Sequence, residues 1–465
     1  MTENRVLREA LSALLGDGGV TFSPDHHLDD LHDETLHPDP VEPFAVTYPR
    51  STGDVVAIAQ LATRHQVPIT PRGSGTGLSG GATPVKDGIV ISFARMNHIR
   101  TINEQDHVVV VEPGVTLREL DEALKPFGLR YPVYPGETSG SLGGNVNTNA
   151  GGMRAVRHGV TRQHVLGLEL VLIDGTTMRV GGPVVKSSSG YDITQLVIGS
   201  EGTLALVTEV TLRLSPRFDH TATVLIPFAD LGDVTRVVPR IVASGLEPSI
   251  LEYIDLLTMA AITKASDLEL GVDPEVVSQT SAYLVVVLET RTESQLDTDL
   301  AALATLVESA NALDVYVLPG GAAVRLIEAR ERVFWVAKAA GANEIIDVVV
   351  PRSRVPEFLD QAMRLGETYG AFVAGCGHVG DGNVHLSIYQ NDDDRRAAML
   401  HDLFAAGLAL GGLISGEHGI GRDKQAAYLA LTDPAVLALQ RRLKLAFDPT
   451  ELLNPFRLLD DRARA

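Results

Sequence analysis

Between residues 71 and 81 the chain reads PRGSGTGLSGG, with Gly73, Gly75, Gly77, Gly80 and Gly81 crowded together. So much glycine is poor material for a helix or strand, because each glycine loses the most backbone entropy on ordering. It suits a loop that comes close to a ligand. Glycine reaches positive φ, and successive N–H groups in such a loop form a nest for an anion. A diphosphate is the usual guest. Two familiar nucleotide loops do not fit. No GKS or GKT follows, as a P-loop requires. A dinucleotide fingerprint should open a helix, and Gly80-Gly81-Ala82-Thr83-Pro84 does not continue as one. A second cluster, PGETSGSLGGNVNTNAGG at 135–152, mixes glycine with Thr138, Ser139, Ser141, Asn145, Thr148 and Asn149. These side chains offer neutral hydrogen bonds to phosphate oxygens and ring edges. A third stretch is KSSSGYDITQLVIGSEGTLALVT, 186–208.

The framework around these loops is legible. Residues 3–15 read as an amphipathic helix. Segment 16–42 carries eight acids, no Lys or Arg, and His26, His27, His32 and His37. A solvated, irregular segment is the reading there, with metal binding by the histidines as the alternative. From Phe44 the pattern is strand (FAVTYP), helix capped by Ser51 to about Gln66, and strand (VPITP). A capping box, Thr116 with Glu119, starts a helix after the strand VVVVEPG. LGLELVLIDGTTMRV reads as a hairpin turning at Asp174-Gly175. Strands TATVLIPF, AYLVVVLE and EIIDVVVP then alternate with helices at 230–244, 293–310 and 354–369. The expected units are 1–42, 43–218, 219–390, and a helical segment 391–465 packing back on the first domain.

Lys and Arg total 39 against 59 Asp and Glu, so the net charge is 39 − 59 = −20. That charge disfavours nucleic acid and anionic lipid as partners. A single cysteine, Cys376, excludes an internal disulfide or a four-cysteine cluster within this chain. No apolar run reaches the roughly 18 residues of a membrane span. A cytoplasmic location is expected. Two further motifs carry chemistry. GHVGDGNVH places His378 and His385 across an Asp-Gly turn, and SGEHGIGR sets Glu417 beside His418. Two imidazoles and a carboxylate match an open divalent metal site. Two histidines closing a loop by hydrogen bonds is the plainer alternative. Cys376 reads as a small core residue.

The three glycine segments, in this order and spacing, resemble the FAD domain of the vanillyl-alcohol oxidase and para-cresol methylhydroxylase superfamily. With the C-terminal motifs added, residues 40–457 are similar to the branch holding the glycolate oxidase flavin subunit, D-lactate dehydrogenase and D-2-hydroxyglutarate dehydrogenase. The resemblance implies an α+β protein: a two-subdomain FAD-binding domain of the para-cresol methylhydroxylase type, an α+β substrate (cap) domain, and a returning helical segment. It implies that Arg72, Gly73, Ser74, Gly75, Thr76 and Gly77 wrap the diphosphate. Pro135, Thr138, Gly143, Gly144, Asn145 and Thr148 would meet the flavin. Glu201, Gly202 and Val207 would lie along the adenosine, and Asn454 would reach back to the cofactor. Ala205 departs from the family's usual glycine, which touches a local backbone contact rather than cofactor binding. No His, Cys or Tyr lies between Gly73 and Lys86, so the FAD is expected to be non-covalent.

By the same resemblance His378, His385 and Glu417 ligate zinc, manganese or iron, His418 is the catalytic base, and Arg330 in IEARERVFW takes the substrate carboxylate. The implied reaction is oxidation of a small D-2-hydroxy acid, glycolate or D-lactate, to the 2-oxo acid. D-2-hydroxyglutarate oxidation, or a flavin-bearing subunit active only in a complex, are the alternatives. An ungapped count from Arg330 puts Phe334 and Ile345 where hydroxyglutarate enzymes carry a threonine and a lysine, with Lys338 as the other candidate for a distal anchor. The implied acceptor is a quinone, an electron-transfer protein or an iron–sulfur subunit, and a homodimer is compatible with the sequence.

Overall fold

The computed structural model describes residues 2–459. Ser51 caps the helix Thr52–His65 by accepting the Asp54 N–H at 3.2 Å, a contact of about 1 kcal/mol. Val55, Ile58, Ala59 and Ala62, at helical spacing, pack into the core of a four-stranded sheet. Its order is Val20–Phe22, Ala45–Thr47, Ile89–Ser92, Ile69–Arg72, and the last three strands are parallel. Ile69–Arg72 therefore delivers the chain to the first glycine loop at the sheet's edge. The C-terminal chain covers that edge: Ile69 N–H donates to Leu452 O (2.8 Å), and Asn454 N–H donates to Ile69 O (2.7 Å).

A second sheet is antiparallel, in the order Ile99–Asn103, Val108–Val111, Leu206–Arg213, Val165–Val171, Thr177–Gly181. The last two strands form the expected hairpin, and Thr116 with Glu119 makes both bonds of the capping box. Ala205 is buried in this sheet's core.

The second half is a seven-stranded antiparallel sheet in the order Tyr316–Val317, His220–Phe228, Ala282–Thr290, Ile250–Asp255, Phe372–His378, Asn383–Tyr389, Glu344–Val349. One face buries Val224, Ile226, Leu284, Val286, Val384 and Leu386 together with residues of the helices Leu231–Ala243, Glu293–Glu308, Val355–Tyr369 and Asp393–Ala409. Strand alternation turns the residues between them to the opposite face. In Asn383–Tyr389 these are Asn383, His385 and Ser387, and in Glu344–Val349 Asp347 lies in register with His385. The sheet thus carries a polar row on the face opposite those four helices, where Leu225, Ile254, Tyr283 and Val285 pack against the helices Leu256–Ala265 and Gly320–Glu331.

The segment expected to be helical over 391–465 is shared between the two halves. Its helix Asp393–Ala409 buries Met399, Leu403 and Phe404 in the core of the seven-stranded sheet. Contact with the first half comes later, through Lys444, which donates to Thr203 O at 2.7 Å, and through Leu452 to Asn454. The halves are also joined by Arg130 and Glu289, a buried two-bond ion pair at 2.9 and 2.7 Å.

The leading segment corrects the expectation of a solvated stretch. Asp30, Asp33 and Thr35 are buried. Arg72 donates to the carbonyls of Asp29 and His32, Asp33 accepts the Ala82 N–H at 3.1 Å, and Thr35 donates to Asp423. Its acids and carbonyls serve as partners for donors of the glycine loop, which is why the segment is irregular without being free. Its histidines disperse: His26 meets Thr21 and Pro43 O, and His37 meets Glu344. No described helix is long and apolar enough to cross a membrane.

Candidate active site

The three glycine segments converge on one cavity of about 330 Å³. It is lined by Arg72, Gly73, Ser74, Gly75, Thr76 and Gly77 from the first, by Pro135, Gly143, Gly144, Asn145 and Thr148 from the second, and by Glu201, Gly202 and Val207 from the third. Close backbone packing explains the glycines. A Cβ at Gly143 would sit 2.5 Å from Pro113 Cβ and 3.0 Å from its carbonyl. Gly75 holds φ at +77°, with the Arg72 guanidinium beneath it. The buried amide Nδ2 of Asn145 has no hydrogen-bond partner. A lined, glycine-walled cavity with an unsatisfied buried donor fits a cofactor rich in acceptors.

Several expected cofactor residues are placed differently from their neighbours. The Arg72 side chain turns away to Asp29, His32 and Asp30, so what it offers the cavity is backbone. Thr138 does not line the cavity, and its hydroxyl accepts from Arg118 at 2.9 Å. Asn454 ties loops together, donating to Gly81 O (3.1 Å) and Glu201 O (2.7 Å). The Glu201 carboxylate accepts the N–H groups of Ile420 and Gly421, both at 2.7 Å.

A smaller cavity of about 100 Å³ shares Leu78, Pro135, Gly136, Glu331, Phe334, Glu417 and His418 with the first. Its floor is the polar row of the seven-stranded sheet. His378 Nε2 lies 3.0 Å and His385 Nε2 3.3 Å from the same Glu417 oxygen. Among the described residues these three form the one His/Cys/Asp/Glu group with metal-ligand convergence, within 4.8 Å. Ligand bonds of about 2.0–2.2 Å at tetrahedral or octahedral angles put donor atoms roughly 3 Å apart. The donor set therefore fits a divalent cation. Cys376 lines the cavity but lies outside the group, and burial pushes its thiol up to about 12.

Carboxylates behind the row orient it. Glu252, fully buried, meets His378 Nδ1 through one oxygen and lies 2.8 Å from Arg330 through the other. A carboxylate on the far nitrogen fixes the ring and its tautomer, as metal-ligating histidines require. Burial would lower the His378 pKa, but the flanking Glu252 and Glu417 outweigh it and carry it up to about 10. A cation would have to displace that proton. Asp347 accepts from Ser415 Oγ (2.8 Å), from the N–H groups of Gly416 (3.1 Å), Glu417 (2.9 Å) and His418 (2.8 Å), and from Lys424 Nζ. One carboxylate thus pins the loop carrying both Glu417 and His418. His418 stacks on His385 with centroids 5.1 Å apart. Burial lowers its pKa to about 4 against the opposing charge of Asp347, so it is neutral near pH 7.

Arg330 closes the cavity from the helix Gly320–Glu331. It is buried, and its Nε and Nη2 make no hydrogen bond; the Glu252 contact has ion-pair distance without donor alignment. Free guanidinium donors in a cavity suit a carboxylate ligand. Phe334 and Ile345 line the same cavity. Lys338 does not; its ammonium lies over the Phe334 and Trp335 rings and 4.0 Å from Glu34.

Family models place this arrangement. Residues 43–181 match an FAD binding domain, and residues 218–458 match the C-terminal domain of FAD linked oxidases. The chain belongs to the FAD-linked oxidases. It is 51% identical over 444 residues to an uncharacterized FAD-linked oxidoreductase of Mycobacterium tuberculosis, covering 96% of this chain and 97% of that one. It is 35% identical over 429 residues to a D-lactate dehydrogenase of Archaeoglobus fulgidus (91% and 94% covered). It is 34% identical over 432 residues to a glycolate oxidase subunit of Bacillus subtilis (91% and 90%). The fold is that of p-cresol methylhydroxylase, with a TM-score of 0.81 at 18% identity over 99% of this chain and 98% of that one. The protein is thus an FAD-linked oxidoreductase of the D-lactate dehydrogenase and glycolate oxidase family, with the para-cresol methylhydroxylase fold.

Glu252, Asp347 and Lys424 escaped the sequence reading. A signal existed for two of them: Glu252 and Asp347 are carboxylates flanked on both sides by apolar residues inside a strand, in ILEYID and EIIDVVV.

Proposed function

We propose that the protein oxidises a small D-2-hydroxy acid of the glycolate or D-lactate kind to its 2-oxo acid, using non-covalently held FAD and a divalent zinc, manganese or iron ion. The observation that carries the reading is the meeting of three candidate ligands, a histidine stacked on one of them and an unsatisfied arginine in one small cavity that shares its wall with the glycine-lined one. In this reading FAD supplies the two-electron acceptor and the cation a Lewis acid that acidifies the hydroxyl. Arg330 receives the substrate carboxylate. His418 takes the hydroxyl proton, while Asp347 fixes its loop and favours the charge that the ring acquires. His378, His385 and Glu417 hold the cation. The buried, shared wall of the two cavities excludes water from the reacting carbon.

Phe334 and Ile345 favour a monocarboxylate. A second carboxylate set against them would be desolvated without a partner, at a cost of several kcal/mol. Steady-state assays with a dye acceptor test this. The specificity constant for glycolate or D-lactate should exceed that for D-2-hydroxyglutarate. The reverse order would reject the assignment and point to another cation, such as Lys338 after a change of rotamer, as the distal anchor.

A further inference from the structure

Glu252 stands in the middle of the strand Ile250–Asp255, between the core residues Leu251 and Tyr253. The register pairs Tyr253 with Gly377 and Ile254 with Cys376, so one step further along Glu252 faces His378 across the strands. Its two oxygens diverge: Oε1 goes to His378 Nδ1, and Oε2 lies 2.8 Å from Arg330 Nη2. His378 belongs to the candidate cation site, and Arg330 lines the same cavity with donors to spare. No other described carboxylate reaches both. A buried carboxylate costs several kcal/mol unless it is paired, and this one has an imidazole hydrogen-bonded to one oxygen and a guanidinium at ion-pair distance from the other.

We propose that Glu252 is a positioning residue that joins the cation-binding edge of the site to its carboxylate-binding edge, holding His378 and Arg330 at a fixed separation. This rests on the functional reading above. With the Glu252 oxygen on Nδ1, the other nitrogen of His378 faces His385 and Glu417. The second oxygen keeps the guanidinium over the cavity while leaving its Nε free for the substrate. Hydroxyl and carboxylate of a 2-hydroxy acid are separated by one carbon–carbon bond, so the spacing of these two edges sets which acids can be held at both.

The test uses the FAD-loaded full chain. Glu252→Gln keeps the size of the side chain, yet it removes the charge that faces Arg330 and leaves a single oxygen for His378 and Arg330 together. Affinity for Zn²⁺ or Mn²⁺ is read by competition with a chromogenic chelator, without turnover. Steady-state constants are then measured with D-lactate at saturating metal, and FAD content and Tm are read on the same preparations. The expected result is metal affinity about 10–100-fold weaker, the scale for losing such an outer partner. At saturating metal KM for D-lactate should rise about 10-fold, by more than kcat falls, with FAD content unchanged. Wild-type metal affinity in Glu252→Gln overturns the proposal. So does weakened affinity with an unchanged KM at saturating metal, which would leave Glu252 a partner of His378 alone. If Glu252→Gln does not fold, Glu252→Asp, one methylene shorter, should lose the same two quantities, and it overturns the proposal if it loses neither. Wild-type protein that binds no divalent cation would instead remove the functional reading itself, a result visible before any variant is made.

Discussion

The two cavities are built in opposite ways. The larger is walled largely by glycine segments, brought together by the four-stranded and five-stranded sheets. The smaller is a side-chain device, in which imidazoles project from adjacent strands of the seven-stranded sheet and are held from behind by Glu252 and Asp347. A backbone site tolerates polar change but not an added methyl group. A side-chain site tolerates little change in charge. Substitutions should therefore separate cofactor retention from catalysis.

The largest expected effect is at His418. His418→Ala should keep FAD and metal, yet slow flavin reduction by about 10²-fold or more, the scale for a lost general base. Stopped-flow reduction with elemental analysis of the same sample checks it, and a full rate would make the cluster structural. Next comes His378→Ala, which should lose stoichiometric metal while retaining FAD, since His378 does not line the larger cavity and the glycine segments that do lie in the other half of the chain. Loss of FAD together with metal would show that the two cavities are not separable.

The converse break is at Gly143. Gly143→Ala forces a methyl group against Pro113 and should cost about 1–3 kcal/mol locally. FAD affinity should fall while Zn²⁺ affinity measured by chelator competition stays, and unchanged FAD affinity would mean that the close approach is not needed. Acid precipitation should release the yellow colour into the supernatant, because no attachment residue lies in the first loop; colour left in the pellet would contradict that.

The contrast also explains what was legible in the sequence. Glycine clusters advertise a backbone site directly, and helix caps such as Ser51 and Thr116 mark boundaries by local chemistry. His378, His385 and Glu417 were legible because glycine and turn residues surround them. Glu252 was not, because its partners lie 78 and 126 positions away along the chain, and no local pattern encodes such a pairing. The leading segment misled for a related reason. Its acids look solvated until Asp30 is seen beside Arg72 and Asp33 on the Ala82 N–H.

A smaller effect belongs to the junction of the halves. Burial, with Arg130 and Arg157 nearby, depresses His158 to about 3 from 6.5. A depressed pKa means that the folded state resists protonation. This stability is present above the unfolded value of 6.5 and is lost as pH falls from 6.5 towards 3. His158→Gln should flatten that part of the curve of Tm against pH, and an unchanged slope would show that His158 does not carry it.

The central claim is that a divalent cation held by His378, His385 and Glu417 takes part in oxidising the substrate. Anaerobic mixing with D-lactate tests it most directly, following flavin absorbance in protein as isolated, stripped with a chelator, and restored with Zn²⁺ or Mn²⁺. The account predicts bleaching in the first, little or none in the second despite full FAD content, and recovery in the third. Bleaching at the same rate in stripped protein would contradict it.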